Sequence, residues 1–320
     1  MSLKGEIKRV PGAEALWRKL KPLPDAFPET QPSAADYRNP IAEGARASDL
    51  IRSLLESPRP CLCSRLGANE LNCVKHYLTR RGRRAPEPYP ENIRYRMHNN
   101  AGFFPIDDES LDAFASEYLS AFRSSDILGV WMLPGEDRLA RKQCPAAKLV
   151  TLGDLSAPYF NTPPWSVALS GKRVLVIHPF AESIAEQYER NRERLWNDPD
   201  VLPAFDLQVM KAVQSIADEP TEFATWFDAL GDMKARMDAL DFDVCLVGAG
   251  AYGPSLAAHA KRLGNKGVML GGATQILFGI RGKRWDERED FVGLFNDYWV
   301  RAKPSEVPTN SNAVEDGCYW

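Results

Sequence analysis

Between residues 172 and 272 the chain alternates short apolar runs with amphipathic stretches, and that alternation limits its folds more than any other feature. In order it reads "KRVLVIHPF", "AESIAEQYERNRERLW", "FDLQVMKA", "TEFATWFDALGDMKARMDAL", "FDVCLVG", "PSLAAHAKRLG" and "GVMLGG". Runs of four to eight β-branched and aliphatic residues predict buried strands, and the polar-faced stretches between them predict helices. Strands separated by helices cannot form hairpins. The expected fold class is therefore α/β and Rossmann-like, a mostly parallel sheet with helices on both faces.

The first half extends the pattern. A helix over "ASDLIRSLLES", a strand over "CLCSRLG" and a helix over "ANELNCVKHYLTRRG" give an α-β-α entry. A loop is expected over "ENIRYRMHNNAGFFPID", then a helix over "DESLDAFASEYLSAFRSS" and strands over "ILGVWML" and "KLVTL". "EDFVGLFNDYWV" predicts a last helix before an irregular tail over 302–320. Residues 1–45 are proline-rich and lack periodicity, so they read as an arm on a single α/β domain spanning 46–320. No short repeat occurs, which argues against solenoids and propellers.

The chain's 320 residues and 44% hydrophobic content suffice for a large core. A net charge of −3 gives no overall field for nucleic acid or an anionic membrane, so no nucleic-acid partner is expected, although "RRGRR" forms a local basic patch. No apolar run is long enough to cross a bilayer and the first twenty residues lack a signal-peptide core, so the expected location is cytoplasmic. The six cysteines show no C-x-x-C pair and read as reduced thiols. Cys61, Cys63, Cys73 and His76 hold zinc-type donors, but the spacing of Cys61 and Cys63 on a strand favours core packing.

In parallel α/β sheets ligands collect at the carboxyl ends of strands, where helix N-termini offer free N–H groups. Three junctions qualify: "SRLGANE", "HPFAES" and "GAGAYGPS". The third contains G-x-G-x-x-G at Gly248, Gly250 and Gly253. A dinucleotide site also needs an acid after the next strand, and Gly271 and Gly272 stand there, which weakens an NAD-dependent oxidoreductase reading. Gly248 and Gly250 serve either tight strand-to-helix packing or the approach of a phosphate or sugar.

At the second junction His178 ends a strand, Ser183 begins a helix, and Gln187, Arg190 and Arg194 follow on one face. That line suits a diphosphate, or else a solvated helix face, and His178 is either a ligand contact or a hydrogen-bonded structural histidine. The loop "HNNAGFFP" offers Asn99 and Asn100 as amides for sugar hydroxyls, or else turn residues beside a core plug of Phe103 and Phe104. No G-x-S-x-G elbow exists and the four histidines lack triad-like spacing, so hydrolase chemistry is not expected.

Taken together, "SRLGANEL", "NNAGFFP", "VLVIHPFAESIAEQY", "DVCLVGAGAYGPSLAAHAKRLGNKGVMLGGATQILFG" and the terminal "SEVPTNSNAVEDGCYW" resemble bacterial glycosyltransferases of the GT-D fold, found in surface-polysaccharide and protein-glycosylation clusters. The resemblance runs from about residue 60 to the C-terminus and is most specific over 243–279. It implies transfer of a sugar from a nucleotide-sugar donor, typically a UDP-sugar, to an acceptor hydroxyl on a glycan or glycoconjugate. The implied donor-binding residues are Arg65, Gly67, Asn69, Asn99, Asn100, His178, Ser183, Gln187, Gly248, Gly250, Ala251 and Tyr252, and the implied catalytic residue is Glu70. Relatives carry Asp-x-Glu at the first glycine turn and bind a divalent cation, manganese or magnesium, at the donor. In "LGANE" Glu70 keeps the Glu and Ala68 replaces the Asp, which weakens that implication, since a hard cation prefers several carboxylate oxygens. Glu70 is thus the base, a remaining metal ligand, or simply a helix N-terminal glutamate stabilised by the dipole. A non-catalytic nucleotide-sugar or sugar-binding protein of the same fold is the alternative.

Overall fold

The structure, a computed structural model, describes residues 31–81 and 86–320. Its centre is an eight-stranded sheet in the order β1-β4-β3-β2-β8-β7-β5-β6, with every pairing parallel. The strands are β1 (Ile41–Ala42), β2 (Cys61–Arg65), β3 (Ile127–Val130), β4 (Lys148–Thr151), β5 (Arg173–His178), β6 (Asp206–Lys211), β7 (Val244–Val247) and β8 (Lys266–Met269). Two further strands, β9 (Ile280–Arg281) and β10 (Val300–Arg301), pair with each other in parallel. The α/β class read from the sequence is the class of the fold.

Helices bury both faces of the sheet, and the strand sequences show it. Leu175 and Ile177 of β5 face one core while Val174 and Val176 face the other, and Cys245 and Val247 of β7 oppose Val244 and Leu246 in the same way. Helices α1 (Gly44–Glu56), α2 (Ala68–Arg80), α3 (Glu91–Asn99), α4 (Asp108–Arg123), α5 (Glu136–Gln143), α6 (Leu152–Ser156), α7 (Ala181–Leu195), α8 (Trp226–Asp238) and α9 (Gly253–Arg262) connect the strands. Ile51 and Leu55 of α1 and Ile184 of α7 lie in one core, while Leu71 of α2, Phe114 of α4, Met233 of α8 and Leu256 of α9 lie in the other. Phe103, Phe114 and Trp226 meet edge-on or tilted at 4.9–5.5 Å between centroids, and burial of each ring contributes about 2 kcal/mol.

Several expectations are corrected. Residues 91–99, read as a loop, form α3, because Ile93 and Met97 lie one turn apart on a buried stripe and Pro90 starts the helix. Helix α5 was not expected: its sequence is mostly charged and only Glu136, Leu139 and Ala140 are buried. Strand β3 stops at Val130 instead of running to Leu133, because the Trp131 and Leu133 amides turn to the Glu136 carboxylate. Helix α8 starts at Trp226 because Thr225 caps it reciprocally with Asp228. The last helix spans only Glu289–Val292, and the chain then turns into β10. Within the expected arm, Ile41–Ala42 is a strand of the main sheet; residues 1–30 and the Gly82–Arg84 part of "RRGRR" lie outside the described residues.

The connections after β5 and β7 run opposite ways: α7 leads outward to β6, and α9 leads back to β8. Because β5 and β7 are neighbours, their carboxyl ends flank the crevice of a topological switch point. His178 ends β5 and Gly248 follows β7 there.

Candidate functional site

At the end of β2 the chain turns through Leu66 and Gly67 into α2. The Gly67 N–H donates to the Tyr118 hydroxyl at 3.0 Å, and a methyl group at Gly67 would fall on the Glu70 carboxylate. Glycine at 67 therefore lets Glu70, in the first turn of α2, fold back over the helix start. The Glu70 side chain is only 8% exposed. Burial raises its pKa, opposed by its own backbone N–H and by the Arg65 guanidinium, with Glu315 adding a further upward push.

Arg65 is the last residue of β2, and its Nε is shut off from solvent with no hydrogen-bond partner among the described residues. Desolvation lowers its pKa, and Tyr118, Glu70 and Tyr319 pull the other way. Its guanidinium carbon sits 5.0 Å from the centre of the Trp131 ring. On its other flank Nη1 is 3.3 Å from where a Gly271 side chain would begin, so Gly271, at φ 63°, keeps β8's end clear for the arginine.

From Gly271 the contacts continue to the switch point. The Thr274 hydroxyl donates to the Gly271 carbonyl at 2.8 Å. A methyl on Gly248 would meet Thr274 Oγ1 at 2.6 Å, the Gly271 carbonyl at 2.7 Å and the His178 ring at 2.5 Å. His178 is 4% exposed, and its Nδ1 accepts the Phe180 N–H at 3.0 Å. Desolvation holds its pKa at about 3, so the ring is neutral and its proton resides on Nε2. One continuous line thus joins His178, Gly248, Thr274, Gly271 and Arg65 across the ends of β5, β7, β8 and β2.

The other expected donor contacts are differently engaged. The first turn of α7 holds a carboxylate of this chain: Glu306 accepts the Glu182 N–H at 2.8 Å and the Ser183 N–H at 3.3 Å, and takes the Ser183 hydroxyl as well. Ser183 therefore faces Glu306 and not the line through Arg65. Gln187 is 2% exposed and donates to the Gly279 and Tyr298 carbonyls at 3.1 and 2.9 Å, so it anchors the chain leading into β10. Arg190 pairs with Glu186, and Arg194 lies over the Tyr298 ring at 5.1 Å.

Asn99 donates to the Ala313 carbonyl at 2.9 Å and to Asn100 Oδ1 at 2.7 Å, so that amide pair fastens the tail. Tyr252 stacks on Trp226 at 4.8 Å and 8°, which makes it a core ring, and Ala251 is 1% exposed beside it. Gly250 takes φ 49°, and a methyl there would meet only the Ala101 carbonyl at 3.8 Å, whereas a methyl on Gly253 would meet Met269 at 3.0 Å. Phe103 is fully buried, as a core plug would be, and all six cysteines are buried and free.

No family model matches the chain, and comparison with curated proteins and with solved structures returns no match.

Of the residues expected to bind or react, the structure brings Arg65, Gly67, Asn69 and Glu70 together at one turn and joins them to Gly248 and His178. It sets Ser183 and Asn99 against the tail and Gln187 against the chain leading into β10. The sequence reading missed Trp131, counted as strand interior in "ILGVWML", and Glu306 in a tail that carries no periodic signal. Thr274 and Tyr319 were also missed; Tyr319 lies 2.6 Å from where a Gly272 side chain would begin. Chemically, the turn offers a guanidinium lacking a full set of acceptors and a carboxyl whose proton affinity is raised. Anion binding and proton transfer at adjacent points are what such a pair can perform.

Proposed function

We propose that the chain is a glycosyltransferase that moves a sugar from a nucleotide-sugar donor, of the UDP type, to an acceptor hydroxyl in surface-polysaccharide or glycoconjugate synthesis. The observation that carries the reading is the Arg65 guanidinium, its Nε unmatched among the described residues, at the end of β2, with the desolvated Glu70 carboxyl in the first turn of the helix that follows, at the carboxyl edge of a parallel sheet. In transfer, the bond from the anomeric carbon to the diphosphate oxygen breaks and its electron pair leaves with the diphosphate. Arg65 meets that developing charge. Glu70 takes the acceptor hydroxyl's proton as the new oxygen–carbon bond forms. The His178 Nε2–H supplies a neutral donor from the switch point.

The residues present do not fit a divalent cation. Magnesium and manganese gather several oxygens, Ala68 stands where the resembled family has Asp, and among the described residues no group of three His, Cys, Asp or Glu side chains could hold a metal ion. Charge neutralisation is assigned to Arg65 instead. The same Ala68 favours the second reading, a non-catalytic nucleotide-sugar binder, which differs in turnover and not in the pocket. An NAD-dependent oxidoreductase has no support from the glycines, because contacts of Gly248 with His178 and of Gly253 with Met269 account for two of the three by packing.

Release of the free nucleotide, a nucleoside diphosphate from UDP-, GDP- and dTDP-sugars and CMP from CMP-sugars, with a glycan acceptor present, tests the reading. The expected result is turnover with one donor and a loss of about a hundredfold or more in Glu70→Gln. Binding without turnover in the wild-type protein selects the non-catalytic reading, and unchanged turnover in Glu70→Gln removes Glu70 from the mechanism.

A further inference from the structure

Trp131 follows β3 directly, at the carboxyl edge of the sheet and on the strand next to the one that ends in Arg65. It is 38% exposed, whereas Trp165, Trp226, Trp285 and Trp299 are buried. Leaving an indole in water forfeits the burial energy that an aromatic side chain ordinarily supplies. A surface tryptophan without a task also needs no fixed orientation, yet this one is held by two hydrogen bonds of its own.

Its Nε1–H donates to the Leu66 carbonyl at 3.1 Å, which ties the ring to the β2–α2 turn that carries Glu70. Its backbone N–H donates to Glu136 Oε2 at 3.0 Å, and the Leu133 N–H reaches the same oxygen at 3.2 Å. Glu136 is fully buried and also accepts the Tyr37 hydroxyl at 2.8 Å. Between those two amides Met132 takes φ 61°, a left-handed conformation that L side chains adopt at a cost of order 1 kcal/mol or more. A buried carboxylate and a strained residue thus serve to aim one exposed ring.

The ring's neighbour says what it is aimed at. The Arg65 guanidinium lies over one face of the indole, 5.0 Å from its centre, and Trp131 is still 38% exposed, so an anion held by Arg65 brings whatever is attached to it to the part of the indole that Arg65 leaves uncovered. A flat hydrophobic surface beside an anion-binding cation matches a ligand that is planar at one end and anionic at the other, which is a nucleoside phosphate. Aromatic side chains hold bases by stacking and tolerate any base, because every base has a π-face. We infer that Trp131 is the platform on which the base of the nucleotide donor stacks, and so the residue that distinguishes a nucleoside diphosphate from a bare diphosphate at Arg65. The inference rests on the nucleotide-sugar reading above and adds the residue that reads the nucleotide half.

Titration calorimetry with UDP, and with inorganic pyrophosphate as a probe that has no base, separates the parts. Wild-type protein is expected to bind UDP more tightly than pyrophosphate. Trp131→Ala is expected to weaken UDP by about tenfold or more while leaving pyrophosphate unchanged, and Trp131→Phe to recover most of the loss. Quenching of emission by UDP in the wild type, absent in Trp131→Phe, reports the stack directly. An equal loss of UDP and pyrophosphate in Trp131→Ala overturns the assignment, since the ring then acts only by positioning Arg65. Unchanged UDP binding in Trp131→Ala overturns it too. If wild-type protein binds pyrophosphate no less tightly than UDP, the platform falls and the anion site stands; if it binds neither, the nucleotide-sugar reading falls with it.

Discussion

The Glu306 carboxylate closes the first turn of α7 by accepting the Glu182 N–H at 2.8 Å and the hydroxyl and backbone N–H of Ser183. Ser183 Oγ in turn accepts the Lys303 N–H at 3.0 Å, so tail and helix are fastened from both sides. A helix N-terminus at the carboxyl edge of a parallel sheet ordinarily attracts a ligand's anion. Here the chain supplies the anion itself, whereas Arg65, at the end of β2, has an Nε with no hydrogen-bond partner among the described residues.

Glu306→Ala therefore leaves buried donors of α7 unmatched at a site where Glu306 is 1% exposed. The expected loss is about 3 kcal/mol of unfolding free energy, measured by denaturant titration, with Glu306→Gln losing less because it keeps an acceptor. A Glu306→Ala protein as stable as the wild type contradicts the role given to this contact.

Two glycines of the G-x-G-x-x-G run separate by the same measurement. A methyl at Gly248 meets His178, Thr274 and Gly271 at 2.5–2.7 Å, so Gly248→Ala is expected to cost about 3 kcal/mol through overpacking. Gly250 has φ 49° and its nearest neighbour, the Ala101 carbonyl, at 3.8 Å, so Gly250→Ala is expected to cost only about 1 kcal/mol of backbone strain. The reverse order would mean that the close packing around Gly248 is misplaced.

His178 predicts an acid sensitivity. Its pKa of about 3 in the folded protein lies below the 6.5 of an unfolded chain, so the unfolded state alone takes up a proton between those values. Its contribution to stability is full above pH 6.5 and is lost as pH falls toward 3. His178→Gln is expected to flatten the dependence of unfolding free energy on pH in that window by about one proton, relative to wild type.

Glu70 carries the opposite sign. Burial raises its pKa, so the charged form weakens the fold at neutral pH and protonation relieves the strain as pH falls toward the unfolded value of 4.5. Glu70→Gln removes that cost, and thermal unfolding at pH 7 is expected to occur at the wild-type temperature or above it, while transfer is lost. A variant that is both inactive and strongly destabilised would mark Glu70 as structural.

The parallel sheet was legible because β5 and β7 are buried on both faces and read as unbroken apolar runs, such as "VLVI" and "VCLV". Helix α3 was not, since Ile93 and Met97 are its only buried aliphatic residues and the rest of its surface is polar. The terminal helix stops early, at Val292 with Gly293 as its cap, and beyond it Asn296 turns its amide to the Arg194 and Leu195 carbonyls and its Oδ1 to the Tyr298 N–H, which holds the turn leading to β10. At the site, the β2–α2 turn was legible as a glycine between an apolar strand and an amphipathic helix, whereas Glu70 was singled out only through the family resemblance. The tie between Ser183 and Glu306 spans more than a hundred residues with no pattern to mark it, and Trp131 looked like strand interior because nothing local shows that Glu136 takes its amide.

The most direct test of the account is thermal unfolding of wild-type protein and Arg65→Met with a panel of UDP-, GDP-, dTDP- and CMP-sugars, with NADH as a control and each with and without manganese. A ligand bound only by the folded state raises its stability by mass action. The account predicts a rise with a nucleotide sugar in the wild type, independent of manganese and lost in Arg65→Met. A rise that survives in Arg65→Met, or one given by NADH alone, contradicts it.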